Sequence, residues 1–216
     1  MKLWLTTVAL VACSAALLAQ GPAAAGGQGE GPAAPGARGR GGARAASPTP
    51  RASAPIDLTG NWVAVISEDW RWRMVTPARG DYSSIPITQA AKDAGDRWDP
   101  AKDTAAGEQC RSYGAPGLMR APTRLRISWQ DDTTLKVESD YGQQTRLLRF
   151  SPPTSPGMPS WQGQSLATWE TAGRGRGRGT AGPPTAGNLK VVTTNLRPGY
   201  LRKNGVPYSA NTVYTE

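Results

Sequence analysis

Between Thr123 and Phe150 the chain alternates apolar with polar residues and twice interrupts the pattern with turn residues, which commits this stretch to short antiparallel strands. Thr123–Gln130 sets Leu125, Ile127 and Trp129 on one side and Arg124, Arg126 and Ser128 on the other, the period of two that a pleated strand requires. Asp131-Asp132 supplies the first turn. Thr134–Tyr141 opposes Leu135, Val137 and Tyr141 to Lys136, Glu138 and Asp140, Gly142 turns the chain again, and Gln144–Phe150 returns. Further strands are expected at Trp161–Glu170 and at Leu189–Asn195, the latter rich in β-branched residues, and a last one starts at Thr212–Glu216. Pro198-Gly199 and Asn204-Gly205 mark turns between them. Helix is expected only at Thr88–Trp98, with Thr88 as N-cap, and as a turn or two within Ala101–Tyr113, where Cys110 would share a face with Ala106. The fold class is therefore mainly β: an antiparallel meander with one or two short helices, forming a sandwich or barrel.

Only part of the chain can join that core. Met1-Lys2, the apolar run Leu3–Leu18 and the small residues Ala23-Ala24-Ala25 make a secretory leader, residues 1–25, cut between Ala25 and Gly26. The apolar run is shorter than the ~20 residues that span a bilayer, so no transmembrane span is expected in the mature form. A second reading takes Leu10-Val11-Ala12-Cys13 as a lipobox, with Cys13 lipidated and the protein anchored to the envelope. Residues 26–55 are dominated by Gly, Ala, Pro, Arg and Ser with no aromatic side chain, which predicts a disordered tether. The folded domain then spans 56–216, with a low-complexity Arg-Gly insert at 171–187. The expected location is exported, periplasmic or secreted. The expectation for Cys110 is either burial or pairing with a group outside this sequence, for which a longer C-terminus is one source because the chain ends within its last strand.

Charge and missing residue types exclude several functions. The formal charge is +9. Lys2 and the tether account for a net four of these and Arg174, Arg176 and Arg178 for three, leaving +2 on the domain. A folded basic face for nucleic acid is therefore not expected. There is no His, which removes the usual general base and the commonest metal ligand. No phosphate-loop motif is present. Neither a cofactor nor a metal is expected.

Gly60-Asn61-Trp62 opening the first strand, a helix-containing excursion and the meander behind it together resemble a lipocalin-like, calycin-type β-barrel. The segments Glu68–Met74, Trp98–Asp103, Gly107–Cys110 and Leu196–Ser209 are similar to a group of uncharacterised exported bacterial proteins, over most of residues 56–216. That resemblance implies a barrel, incomplete here at its C-terminus, and an exported location, and it implies no chemistry.

The candidate binding residues come from two segments. Glu68–Val75 alternates strictly as a strand would, with Trp70 and Trp72 on one side and Arg71 and Arg73 on the other. Lining a cavity, the Trp residues would stack on an apolar ligand and the Arg residues would fork onto a carboxylate or phosphate, joined by Arg126 if the faces match. Arg197–Tyr208 gathers two turns, two Tyr and three cations, with Tyr200 and Arg202 at the mouth of the barrel. The expected function is an exported, non-catalytic protein that binds a small, partly apolar or anionic ligand. The alternatives are a carbohydrate-active enzyme using Glu68, Asp69 or Asp81 as paired carboxylates beside Trp, and a cell-envelope structural or interaction module.

Overall fold

Leu135, Val137 and Leu148 are almost wholly buried while Lys136, Glu138, Leu147 and Arg149 between and beside them are more exposed, so burial there follows the period of two read from the sequence. A computed structural model describes residues 47–171 and 186–216. The leader, the tether as far as residue 46, Cys13 and the centre of the Arg-Gly insert lie outside the described residues.

The strands are β1 (Gly60–Val63), β2 (Arg124–Asp131), β3 (Thr134–Ser139), β4 (Gln144–Arg149), β5 (Gln164–Thr171), β6 (Gly187–Thr194), β7 (Gly199–Tyr200), β8 (Pro207–Tyr208) and β9 (Tyr214–Thr215). Seven of them form one sheet in the order β1-β2-β3-β4-β5-β6-β9, and β7 and β8 form a separate hairpin. Every pair in the large sheet is antiparallel except β4 and β5, which run parallel, so the sheet is mixed. Among the described residues no barrel closes: β1 and β9 are the two edges. The sheet nevertheless curls, because Leu125 on β2 and Val191 on β6 line one cavity with three strands between them.

The register places a continuous apolar band on the inner face. Ile127 pairs with Val137, Leu135 with Leu148, and Ala167 with Val191. At one end Trp129, Phe150 and Trp169 stack in series, with ring centroids 5.7 and 5.3 Å apart, which adds aromatic contact to the area already buried. Residues 47–55, read from the sequence as the end of the tether, pack on this end. The Trp169 indole donates to the Pro50 carbonyl, the Arg51 amide donates to the Asp132 carbonyl, and Pro55 is buried against Gly187.

Between β1 and β2 the chain makes four short helices: α1 (Trp70–Met74), α2 (Gln89–Asp96), α3 (Pro100–Ala105) and α4 (Ala115–Leu118), with a 3-10 turn at Gln109–Tyr113. α2 is the helix expected from the sequence, and Thr88 caps it by accepting the Ala91 amide. The second expected helix is broken. Gly107, at a φ of 69°, ends the helical run, and the chain restarts as the 3-10 turn, so Cys110 and Ala106 do not share one helix face.

The largest departure is Glu68–Val75. It does not form the alternating strand expected from its pattern; Trp70–Met74 is helical, entered from Asp69 in a left-handed conformation. A strand would send Trp72 and Arg73 to opposite faces. The helical turn brings both to one side, where the Arg73 Nε donates to the Arg120 carbonyl at 2.8 Å and the Trp72 indole approaches Asp81. Partners about fifty residues away outweigh the local alternation. Tyr141 also leaves its expected place: β3 ends at Ser139, and Tyr141 begins a 3-10 turn at Tyr141–Gln143.

Candidate functional site

The β7–β8 hairpin is the part of the fold that aims charge at a cleft. Its turn closes at Asn204-Gly205, where the Leu201 amide donates to the Val206 carbonyl at 2.8 Å and Gly205 adopts a φ of 87°. An ideal Cβ at Gly205 would fall 2.4 Å from the Trp98 Cβ, so glycine is needed for both backbone and space. Asn204 is buried, and its amide donates to the carbonyls of Ala78 at 3.1 Å and Asp81 at 3.0 Å. The turn is thereby clamped to the 78–84 loop, and Arg202 and Lys203 are delivered to the cleft.

The cleft encloses about 110 Å³ between the hairpin turn, α1, the chain following α4, and Tyr141. Four cationic side chains line it: Arg73, Arg120, Arg202 and Lys203. Arg202 is 6% exposed. Its Nη2 donates to the Ser84 hydroxyl at 2.9 Å, while Nε and Nη1 are buried without an acceptor among the described residues. Burial, and next the positive charge of Arg120, depress its pKa from the ordinary value; a guanidinium stays protonated at neutral pH even so. The Lys203 ammonium sits 4.4 Å from the Tyr141 ring centroid and 4.8 Å from that of Tyr113. Burial alone would lower its pKa, but the two tyrosines it faces outweigh burial and raise it.

Two carboxylates answer this charge. Asp69 pairs with Arg120 at 3.3 Å, on side chains about a third exposed, where such a pair contributes roughly 0–1 kcal/mol. The Ser83 side chain, and next the Ser83 amide that donates to Asp81 at 3.1 Å, hold the Asp81 carboxyl below the usual carboxylate range. Four cations against two carboxylates leave a net positive cleft, walled on one side by the Trp72 ring, 5.9 Å from the Arg202 guanidinium. Buried N–H groups without acceptors are costly, and a carboxylate or phosphate oxygen is the group that would satisfy them.

Of the residues singled out from the sequence, Trp72, Arg73 and Arg202 converge here. Trp70 is 64% exposed, and Arg71 is exposed with its guanidinium 5.5 Å from the Trp72 ring centroid. Arg126 lies on the face of β2 opposite Ile127, exposed beside Asn61 and Glu138, so the faces do not match and it does not join the cluster. Tyr200 is buried in the helical layer. Its hydroxyl donates to Asp103 at 2.9 Å, and burial, reinforced by that carboxylate, pushes its pKa up to about 12. Asp103 also accepts the Trp98 indole at 3.0 Å and pairs with Arg111, which makes Trp98–Asp103 and Tyr200 a packing hub rather than part of the cleft. Glu68 is exposed.

Arg120 is not among the candidates read from the sequence, whereas Lys203 is one of the three cations of the Arg197–Tyr208 segment. Lys203 adjoins Arg202 in a segment already marked by its turns and cations. Arg120 carries no local signal, since its importance comes from contacts with Asp69 and Arg73. No group of three or more potential metal ligands occurs among the described residues, and none of their helices is long and apolar enough to cross a membrane. The chain matches no family model, no curated protein and no solved structure.

Proposed function

We propose that this chain is an exported, non-catalytic small-ligand-binding protein that holds an anionic group in the Arg73–Arg120–Arg202–Lys203 cleft. The carboxylate or phosphate of the ligand takes the free Nε–H and Nη1–H of Arg202, Arg120 and Lys203 add charge, and an apolar part of the ligand rests on Trp72 and Tyr141. One observation carries this reading: Arg202 is buried with two of its three nitrogens unpartnered. Such an arrangement costs stability in the empty state and is repaid on binding. The proposal keeps from the lipocalin-like resemblance the idea of a curved meander that carries a ligand, with an open sheet in place of a closed barrel. Export rests on the leader pattern of residues 1–25.

The hydrolase alternative lacks support in the carboxylates. Asp81 is held below its ordinary pKa, opposite to what a general acid needs, and Asp69 is engaged by Arg120.

Titration of the full chain with inorganic phosphate and with benzoate tests the proposal. Binding should weaken as salt rises and fall by about tenfold or more in Arg202→Gln and Arg120→Gln, as the loss of a charge-assisted contact predicts. Absence of binding to either anion at low salt, or an affinity indifferent to both substitutions, would sink it. The N-terminus of the protein recovered from cells tests export.

A further inference from the structure

A second charged side chain is buried in this protein, outside the cleft. Arg146 on β4 occupies the inward parity of its strand, alternating with Leu148 and Phe150, and is 2% exposed. Its Nη2 contacts the hydroxyls of Ser165 at 3.4 Å and Thr193 at 3.2 Å and is ion-paired to Glu216. Its Nε–H is buried without an acceptor among the described residues. Arg146 forms part of the wall of a cavity of about 350 Å³ on the inner face of the curled sheet. The remaining wall is mainly aliphatic, with Leu125, Ile127, Val137, Leu148 and Val191 from the strands and Met119 from the end of α4.

Aliphatic cavities of ~150 Å³ stay dry and take up small apolar molecules, and drug-sized ligand sites begin at roughly 300 Å³. This cavity is within the second range. The partly exposed Glu216 side chain neutralises the Arg146 guanidinium, so neither a free cation nor a free anion is called for. The unmet demand is one hydrogen-bond acceptor for Nε–H.

We propose that this inner cavity is a second ligand site, taking an uncharged, largely aliphatic molecule with a single acceptor such as a ketone or ester carbonyl. The chain of the ligand lies along the β2–β6 aliphatic wall and its oxygen accepts from Arg146 Nε. This site is independent of the cleft: Met119 faces the cavity while the next residue, Arg120, faces the cleft, and neither ligand contacts the other's charged group.

Calorimetric titration of the full chain with 2-octanone, octanoate and octylammonium, which share a chain length and differ in head group, tests the proposal. Ile56 and Leu189 also line the cavity, so Ile56→Trp and Leu189→Trp serve as two independent cavity-filling substitutions. The expected result is that 2-octanone binds with a negative heat-capacity change, the mark of apolar burial, and at least about tenfold more tightly than either ion, since burying an unpaired charge is heavily disfavoured. Both fillers should abolish this binding and leave the phosphate titration of the cleft unchanged. Arg146→Met combined with Glu216→Gln, which keeps the pair neutral, should weaken 2-octanone by about tenfold, the worth of one buried hydrogen bond. If that double variant fails to fold, the wild-type and filler comparisons decide. Absence of 2-octanone binding, binding that survives both fillers, or tighter binding of octanoate or octylammonium overturns the proposal.

Discussion

Replacing Arg202 by Met should make the ligand-free protein more stable while destroying the anion site. Met keeps much of the aliphatic length but gives up the guanidinium contact with the Trp72 ring, worth about 0.5–1 kcal/mol. The substitution removes the Nη2 bond to Ser84. Ser84 is exposed, so its hydroxyl regains water, and the loss is about 1 kcal/mol, the usual net value of such a bond. Against this, two buried donor groups without acceptors disappear, each costing ~1–3 kcal/mol when left unmet. The proximity of Arg120, whose charge disfavours a second guanidinium, acts in the same direction. The balance is a gain of roughly 1–3 kcal/mol, in line with other replacements of buried charge by apolar groups. For a domain of this size that raises the thermal midpoint by roughly 3–8 °C. Urea unfolding at neutral pH, with and without phosphate, measures it. Wild-type protein should gain ~2.7 kcal/mol with phosphate at a hundred times its dissociation constant, and Arg202→Met should gain nothing. A variant destabilised by more than ~1 kcal/mol would show that the guanidinium is a structural keystone, and the reasoning for an anion site would fail with it.

Three further outcomes follow from other parts of the fold. Gly205→Ala should destabilise by roughly 2–4 kcal/mol in urea unfolding, because it combines a positive φ with a Cβ that would strike Trp98; a cost below ~0.5 kcal/mol would mean the hairpin turn relaxes freely. Asp140 accepts the Arg124 amide and the Thr123 hydroxyl, each at 2.9 Å, and these bonds hold its carboxyl below the usual range. A depressed carboxyl stabilises the fold above its unfolded pKa of about 4, and that stability is lost as pH falls through the folded value, so the urea midpoint should drop less steeply with acid in Asp140→Asn than in the wild type. Asp103→Asn leaves Tyr200, Trp98 and Arg111 with a weaker common acceptor and should cost about 2–3 kcal/mol, while absorbance titration should find the Tyr200 phenol ionising below about 12. An unchanged phenol titration would assign its shift to burial alone.

The meander was legible because its cause is local. Leu125, Ile127 and Trp129, then Leu135 and Val137, alternate with polar residues at the period of a strand, and turn residues separate the runs. Thr88 and the alanines after it were enough to place α2 for the same reason. The closed barrel was not legible, because closure depends on which edges meet. Here β1 and β9 remain edges, and the parallel β4–β5 pair comes from a crossover that no single strand encodes.

Glu68–Val75 shows how a local pattern fails. Its polarity alternates perfectly, yet the free energy that decides its conformation comes from partners on other segments, the carbonyl and guanidinium of Arg120 and the carboxylate of Asp81. The cleft follows the same rule. Trp72, Arg120, Tyr141 and Arg202 lie about fifty, twenty and sixty positions apart in succession, so no window of sequence contains the site. What the sequence by itself determined is a mainly β domain, its turns, the absence of histidine chemistry and the segments rich in Trp and Arg. What the tertiary structure decided is which of those Arg residues are buried with N–H groups left without acceptors among the described residues. Burial and the loss of solvent around a charge are properties of the assembled surfaces, and they do not exist until strands, hairpin and helices have packed.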